Sequence, residues 1–424
     1  MSDSMFDFIM DDNADLSYQS SGPHVPDVMD CMRCGLCLRQ CPTYILTQDE
    51  QEGPRQRIRT LNTLVIENKV VAPQALEHLQ NCIQCRACEA ICPSQMDYSL
   101  LFDQAQQQLS ANKILSFKAK TGLWLIQHKA VFNVFLPLIK LYVNSGLQKL
   151  SRNIGIIKKL GFERVEQLAT VKPVLKPIKS KYPVSESRGT VALFAGCISD
   201  RFDRTTLEAA ITVLNAIGFS VIVPEQQTCC GAMHWHNGQH ATAKAMMTKN
   251  VNQFAQSTVT AIVYCASGCG SQLTDYQILL EGQDDVTEFH QKLTEISDFV
   301  LQNWPASLTL HTTNKHVLVH EPCSHRNVLK NQAAVYQLLA KIPSITINTL
   351  ADNHLCCGAG GSYMLTHPDS ADALRTMKWR HIAHAQGDYV ATTNIGCALH
   401  LMAAKSNASM VQIIHPITLI ANQL

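Results

Sequence analysis

Charge is scarce in this 424-residue sequence: Asp, Glu, Lys and Arg make up 16% of it and nearly cancel, leaving a formal net charge of +1. Without a strong basic excess, nucleic acid is excluded as the main partner, because phosphate binding depends on many cationic side chains. No run of about 18 uncharged apolar residues occurs, so no segment is expected to span a bilayer. The nearest stretch, Leu123 to Val143, is interrupted by His128, Lys129, Asn133, Pro137 and Lys140. It reads as one or two amphipathic helices packed on the core, with a surface against a membrane or a membrane partner as the alternative. Residues 1–30 hold seven Asp and no Lys or Arg, so the basic start of a secretory signal is missing. A cytoplasmic, reducing compartment is expected, with an acidic disordered tail over residues 1–23. The hydrophobic content of 46% is that of a folded globular chain. Its length exceeds one ordinary core, so two or three domains are expected.

Cysteine is what the sequence has in plenty, with seventeen. Eight fall in residues 24–110, in two groups joined by a helix-like segment, Pro54 to Leu79. None falls in residues 111–188, whose later part is basic and punctuated by proline (Lys172, Pro173, Lys176, Pro177, Lys179, Lys181, Pro183) and reads as a solvated linker. From Gly189 onward, short β-branched runs alternate with helical stretches: Thr190–Ala195, Ser220–Val223, Ala261–Tyr264, His316–His320, Ile345–Asn348, Tyr389–Thr392 and Met410–Ile414. That alternation predicts α/β structure with mostly parallel sheets. The region also repeats. Cys197, Cys229–Cys230–Gly231 and Cys269 are matched, at a nearly constant offset, by Cys323, Cys356–Cys357–Gly358 and Cys397. Two copies of one supersecondary unit explain so regular a correspondence. The expected fold is α+β and multidomain: a helical ferredoxin-like domain (24–110), a helical connector with its linker (111–188), and duplicated α/β units at 189–310 and 311–424.

Cys31-x2-Cys34-x2-Cys37-x3-Cys41-Pro42 and Cys82-x2-Cys85-x2-Cys88-x3-Cys92-Pro93 are both bacterial [4Fe–4S] signatures. In that signature three closely spaced thiolates wrap one cluster and the fourth reaches across to the other. The expected ligand sets are therefore Cys31, Cys34, Cys37 and Cys92 for one cluster, and Cys82, Cys85, Cys88 and Cys41 for the second. Zinc wants two CxxC pairs separated by a spacer, which this spacing fits poorly. The long stretch between Cys41 and Cys82 suits a helical insert.

In each C-terminal unit, one Cys follows a strand, a Cys-Cys-Gly follows the next, and another Cys follows a third. Cysteines at the carboxyl ends of parallel strands converge where α/β folds bind ligands. Cys197, Cys229, Cys230 and Cys269, and likewise Cys323, Cys356, Cys357 and Cys397, are candidate cofactor-binding residues for a further iron–sulfur centre, with Gly231 and Gly358 letting the backbone approach closely. Zinc, a redox thiol pair and a structural role are the alternatives. Cys265, four residues before Cys269, is left over; it reads as a buried core thiol, with a fifth ligand as the alternative. Asn394 stands three residues before Cys397, where a fuller CxxC would place a thiolate. His234, His236, His354 and His367 lie near these motifs and read as satisfied loop or core residues. Gly358-Ala-Gly360-Gly361 fails as a dinucleotide loop because Tyr363 occupies the third glycine position.

The chain resembles the glycolate oxidase iron–sulfur subunit over nearly its whole length. The resemblance rests on Cys-Gly-Leu-Cys to Cys-Pro-Thr-Tyr (34–44), Glu-Gly-Pro-Arg-x-Arg-Ile (52–58), Cys-Cys-Gly-Ala-Met-His-Trp-His (229–236), Ala-Ser-Gly-Cys-Gly (266–270), the stretch from His354 to Asp369, and Asn-Ile-Gly-Cys (394–397). It implies an electron-transport oxidoreductase subunit with no catalytic residue of its own. A flavin-containing dehydrogenase subunit and a second flavoprotein-like subunit are the implied partners, and a quinone or similar acceptor takes the electrons. The implied place is the cytoplasm, peripheral on the inner face of the cell membrane. The alternatives left open are a subunit of a D-lactate or glycerol-3-phosphate dehydrogenase, a reductase of the heterodisulfide type, and a zinc-bound scaffold.

Overall fold

The computed structural model describes residues 31–110, 117–145, 147–155, 159, 163–168, 171–255, 258–404 and 410–424. The expected acidic tail lies outside them. The N-terminal part is helical, with helices Pro42–Thr47, Pro54–Leu61, Pro73–Gln80, Ala87–Ala90 and Tyr98–Ser110. Three of these begin with proline, whose fixed φ suits the first turn and whose missing N–H has no helical partner there. Helix Pro54–Leu61 buries Pro54, Arg57, Ile58 and Leu61, one face at helical spacing. The helix-like segment expected over 54–79 is helical and is divided into two helices. The first ends in a π turn at Asn62–Ile66, Asn68 turns left-handed at φ 51°, and the second restarts at Pro73.

In the connector, helices Lys120–Gln127 and Lys129–Asn144 are bent by 107° about His128. As expected, one face of the pair packs on the core, with Ile126 against the first unit's buried residues and Phe132 tilted against Phe202 at 6.3 Å. Leu123 and Leu136 are buried, whereas Val134, Leu138 and Leu141 are 71%, 61% and 61% exposed. Among the described residues no single helix is long and apolar enough to cross a membrane. The basic stretch that follows has no regular structure from Val171 to Ser180, and Lys172, Lys176 and Lys179 are exposed. It is nevertheless held, since Arg201 donates to the Leu175 carbonyl at 2.9 Å and Arg204 to that of Lys176 at 3.1 Å.

Among the described residues nine strands follow: β1 Lys181–Tyr182, β2 Gly189–Phe194, β3 Phe219–Ile222, β4 Ala261–Tyr264, β5 Leu293–Glu295, β6 His316–His320, β7 Thr346–Thr349, β8 Tyr389–Thr392 and β9 Gln412–Ile414. They form two sheets, ordered β1-β3-β2-β4-β5 and β7-β6-β8-β9. Every pairing is parallel except that of β1, a short edge strand that the linker lays antiparallel on β3. Without β1 the two orders are the same. The β2–β3 register begins Gly189 to Phe219 and the β6–β7 register His316 to Thr346, so both strands of the pair recur at one and the same offset.

One apolar core serves both units. Helix Arg204–Ala216, which follows β2, packs on Pro416–Ala421, which follows β9. Helix Ala333–Leu339, which follows β6, packs on Ile296–Gln302, which follows β5. Each unit's first helix thus meets the other unit's last, and Leu207, Leu214, Val300, Leu338, Ile417 and Ile420 are buried there together.

Candidate metal centres

The repeat fixes where the cysteines stand. Cys197 lies three residues past β2, Cys229 seven past β3 and Cys269 five past β4; Cys323, Cys356 and Cys397 stand at the same three distances past β6, β7 and β8. Cys197 Sγ is 3.5 Å from Cys229 Sγ, Cys323 Sγ is 3.9 Å from Cys356 Sγ, and Cys357 Sγ is 2.8 Å from Cys397 Sγ. Gly231 and Gly358 follow at φ 91° and 89°, the left-handed region. A Cβ on Gly358 would stand 2.5 Å from the Ala371 carbonyl oxygen. With no side chain in the way, the Gly231 N–H reaches Cys229 Sγ at 3.5 Å and the Gly358 N–H reaches Cys356 Sγ at 3.4 Å.

Electrostatics repeat as well. Cys229 is held well below the usual thiol range, first by the hydrogen bond from Cys197 and then by that from Cys230. Cys356 is held low in the same way by Cys323 and Cys357.

The ferredoxin-type cysteines fall into two recesses. Cys31, Cys34, Cys37 and Cys92 line one, together with Cys88. Cys41, Cys82, Cys85 and Cys88 line the other, which is part of a cavity of about 440 Å³. The same cavity is lined by Cys197, Cys229, Cys230 and Cys269 of the first unit and by Cys323, Cys356, Cys357 and Cys397 of the second. The spacing motif gave no hint of this meeting. Burial pushes the Cys82, Cys85 and Cys88 thiols up, and Cys37 rises to about 11 through burial and then through Cys31. Sulfurs in such surroundings ionise when a bound cation holds them. An all-sulfur donor set, amides aimed at sulfur and a glycine cradle that a Cβ would fill are what an iron–sulfur cluster asks of a protein, so the residues fit the group.

Behind Cys41 lies a buried polar network built from the Glu-Gly-Pro-Arg-x-Arg segment. Arg57 Nη2 meets Glu52 Oε2 at 2.5 Å, and Arg57 Nη1 donates to Thr43 Oγ1 at 2.9 Å and lies 3.8 Å from Cys41 Sγ. Glu52 Oε1 accepts from Asn81 at 2.7 Å and meets His78 at 2.6 Å. Glu52 and Arg57 come from that one motif, and Thr43, His78 and Asn81 join them from elsewhere in the sequence.

Cys265 sits in the shared core, 4% exposed, and its carbonyl accepts from His415 Nε2 at 2.9 Å. Of the four histidines weighed from sequence, His236 lines the large cavity. Burial, then Arg86, lowers it to about 4. His367 stacks on Tyr363 at 4.5 Å and pairs with Thr366 Oγ1. A histidine that sequence reasoning missed, His320, lies closer to the cysteines. It ends β6 three residues before Cys323, and one of its ring nitrogens lies within 4.8 Å of the Cys357 and Cys397 sulfurs, which are as close to each other. That spacing before the cysteine was the one signal available.

The second ferredoxin-type loop and the helix Tyr98–Ser110 that follows it touch the two units. Arg86 reaches Asp275 at 3.3 Å, Asn327 donates to the Cys85 carbonyl at 2.8 Å, and Trp235 Nε1 donates to Asp103 at 2.8 Å. Ile83 packs with Tyr363 and Leu374.

Known proteins share the sequence domains of this chain. A family described as a 4Fe-4S dicluster domain matches residues 27–96, and a family described as CCG, a cysteine-rich domain, matches twice, at residues 191–274 and 317–402. The chain is similar to the probable glycolate oxidase iron-sulfur subunit of Bacillus subtilis, 29% identical over 402 residues that cover 88% of each chain. It is similar to the glycolate oxidase iron-sulfur subunit of Escherichia coli, 28% identical over 392 residues, covering 88% of this chain and 89% of that one. Lactate utilization protein A of an Exiguobacterium species is 26% identical over 227 residues, half of this chain and 88% of that protein. A crystal structure of a hypothetical protein from Helicobacter pylori aligns at a TM-score of 0.51 and 13% identity over 91% of this chain and 71% of that one, a likeness of fold alone.

Proposed function

We propose, on the premise that this chain is a homologue of the glycolate oxidase iron–sulfur subunits, built from one dicluster domain and two cysteine-rich domains, that it relays electrons within a glycolate-oxidising complex. The electrons come from a partner flavin subunit that converts glycolate to glyoxylate, and they leave toward a quinone. In this reading Cys31, Cys34, Cys37 and Cys92 hold one [4Fe–4S] cluster, and Cys82, Cys85, Cys88 and Cys41 hold the other. The four cysteines of each C-terminal unit hold a further centre. When bound, such clusters supply one-electron carriers whose delocalised iron valence keeps rearrangement small.

The observation that carries the reading is the shared cavity, in which the sulfurs of the second ferredoxin-type loop face those of both C-terminal units. The chain's own residues set the conditions for transfer. Asn327, Arg86 and Ile83 hold the loop against the units, and Arg57 keeps a buried positive charge beside Cys41. No acid–base pair aimed at a substrate is needed, since substrate chemistry belongs to the partner.

The site of action in this reading is the cytoplasmic face of the cell membrane. From Lys113 to Lys181 the sequence holds fourteen Lys and Arg against two Glu. The same segment exposes Trp124, Val134, Leu138, Leu141, Leu150 and Ile154. Exposed apolar side chains among lysines suit the interface of an anionic bilayer.

The test is purification of the chain with its native partners, followed by anaerobic quinone-analogue reduction with glycolate, D-lactate, L-lactate and glycerol 3-phosphate. Glycolate is expected to be the preferred substrate. Preference for lactate would favour the second reading, which the Exiguobacterium relative supports. No flavin partner and no reduction with any of the four would sink both.

A further inference from the structure

The two cysteine-rich units repeat their strand order and cysteine spacing, but the residue that ends the first strand of each differs. In the first unit it is Phe194, 3% exposed and tilted against Phe254 at 6.0 Å. In the second it is His320, 1% exposed. Both stand three residues before the leading cysteine of their unit. A histidine with no room for water needs partners for both ring nitrogens. His320 Nδ1 has one, Thr392 Oγ1 at 3.0 Å on the neighbouring strand β8. His320 Nε2 is buried with no hydrogen-bond partner.

The donor atoms nearby are sulfur. His320, Cys357 and Cys397 each offer one ligand atom within 4.8 Å of the other two, and all three residues are buried. Metal bonds to nitrogen and thiolate are about 2.0–2.3 Å long, so side-chain movements of about 1 Å or less close this set on one metal. A ligating histidine normally has its second nitrogen tied by a neighbour that fixes the ring, which is what Thr392 does.

We propose that His320 is a ligand to the iron–sulfur centre of the second cysteine-rich unit, giving that centre a mixed imidazole–thiolate shell where the first unit offers thiolates alone. This rests on the reading that the second unit holds such a centre, and it adds a ligand and an asymmetry. A neutral imidazole brings less negative charge to iron than a thiolate, which raises the potential. A second residue acts in the same direction. Lys378, 1% exposed, interacts electrostatically with Cys356, Cys357 and Cys397. The corresponding helix turn of the first unit carries the uncharged Asn250 and Val251. The second unit is therefore the more oxidising of the pair and the end at which electrons collect.

The experiment is pulsed EPR with redox titration of the anaerobically purified full chain, labelled with ¹⁵N-histidine, as wild type, His320→Ala, His320→Cys and Thr392→Val. In the wild type, one paramagnetic centre is expected to show strong coupling to a histidine nitrogen. His320→Ala abolishes it, Thr392→Val weakens it, and His320→Cys keeps the iron while moving that centre to lower potential. The two ferredoxin-type cluster signals report folding, because none of these substitutions touches them. The proposal is overturned if those signals are intact but no centre couples to histidine, if His320→Cys leaves every potential unmoved, or if metal analysis finds that His320→Ala loses zinc and no iron. Loss of the ferredoxin-type signals from the wild type itself would instead sink the wider function.

Discussion

Asn327, from a π turn of the second cysteine-rich unit, donates its side-chain amide to the backbone carbonyl of Cys85 at 2.8 Å. The hydrogen bond joins distant parts of the sequence and ties a ferredoxin-type loop to the C-terminal units. Ile83 in the same loop lies against Tyr363 and Leu374, so the loop is anchored on both sides of Cys85.

Asn327→Ala should therefore loosen docking without removing iron. A hydrogen bond of this kind contributes about 0.5–1.5 kcal/mol. Stopped-flow reduction is expected to show normal reduction of the ferredoxin-type clusters and slower arrival at the C-terminal centres. Cys85→Ser should remove the second cluster and abolish acceptor reduction, while substrate still reduces the partner's flavin. Unchanged transfer in both variants would place the electron path elsewhere.

The two Cys-Cys-Gly glycines should respond unequally to alanine. At Gly358 the new Cβ meets the Ala371 carbonyl oxygen at 2.5 Å and the Ala371 Cα at 3.1 Å, which are backbone atoms that cannot step aside. At Gly231 the nearest atom is the end of the flexible Met247 side chain at 3.2 Å. Both variants carry a left-handed strain of about 1–2 kcal/mol. Gly358→Ala should lose thermal stability and iron well beyond Gly231→Ala, measured by melting and metal analysis of the two purified chains.

Much of this was legible in the sequence because it is written in spacing. The CxxCxxCxxxCP motifs and the regular offset between the two sets of C-terminal cysteines gave the ferredoxin-type loops, the duplication and the strand ends near Cys197, Cys229, Cys323 and Cys356. Strands β6 and β8 fall where the β-branched runs predict them. The strands β1 and β5 are very short and carry no run to notice. His320 offered only its spacing before Cys323, because one histidine in a strand has no periodicity, and its meaning appears only when β7 and β8, on either side of β6, bring Cys357 and Cys397 beside it. The connector packs Leu123, Ile126 and Leu136 inward as its amphipathic pattern predicts, while the exposure of Val134, Leu138 and Leu141 was not legible, because such a pattern does not say how much of the apolar face is covered.

Glu295 should make stability fall as pH rises. It is 1% exposed at the N-terminus of helix Ile296–Gln302, where its carboxylate accepts from the Ser297 N–H at 2.6 Å. Burial raises it to about 8 despite that hydrogen bond. A carboxyl raised above its ordinary value binds its proton more tightly in the folded state. Its stabilising contribution is present at low pH and is lost as pH climbs from the ordinary carboxyl range to about 8. Over that window the wild type should lose a few kcal/mol, on the order of the shift converted at about 1.36 kcal/mol per unit. Glu295→Gln should flatten the dependence. Melting curves at pH 5, 7 and 9 measure it, and parallel curves for the two proteins would refute it.

Vesicle binding tests the connector. Phosphatidylcholine vesicles containing phosphatidylglycerol should retain the chain, and pure phosphatidylcholine vesicles should retain less. Raised salt should weaken retention, since it screens the lysines. The triple change Val134→Ser, Leu138→Ser and Leu141→Ser should weaken binding at least tenfold, because each side chain contributes about 1 kcal/mol or more when taken from water. Equal binding by the triple variant would assign that surface to another role.

The most direct measurement of the account is iron and acid-labile sulfide per chain in anaerobically prepared protein, with EPR of the dithionite-reduced sample. Two [4Fe–4S] clusters require at least eight iron and eight sulfide per chain, with signals from two interacting reduced clusters, and the cysteine-rich units are expected to raise the count further. A colourless chain carrying zinc, without sulfide and silent on reduction, would contradict it.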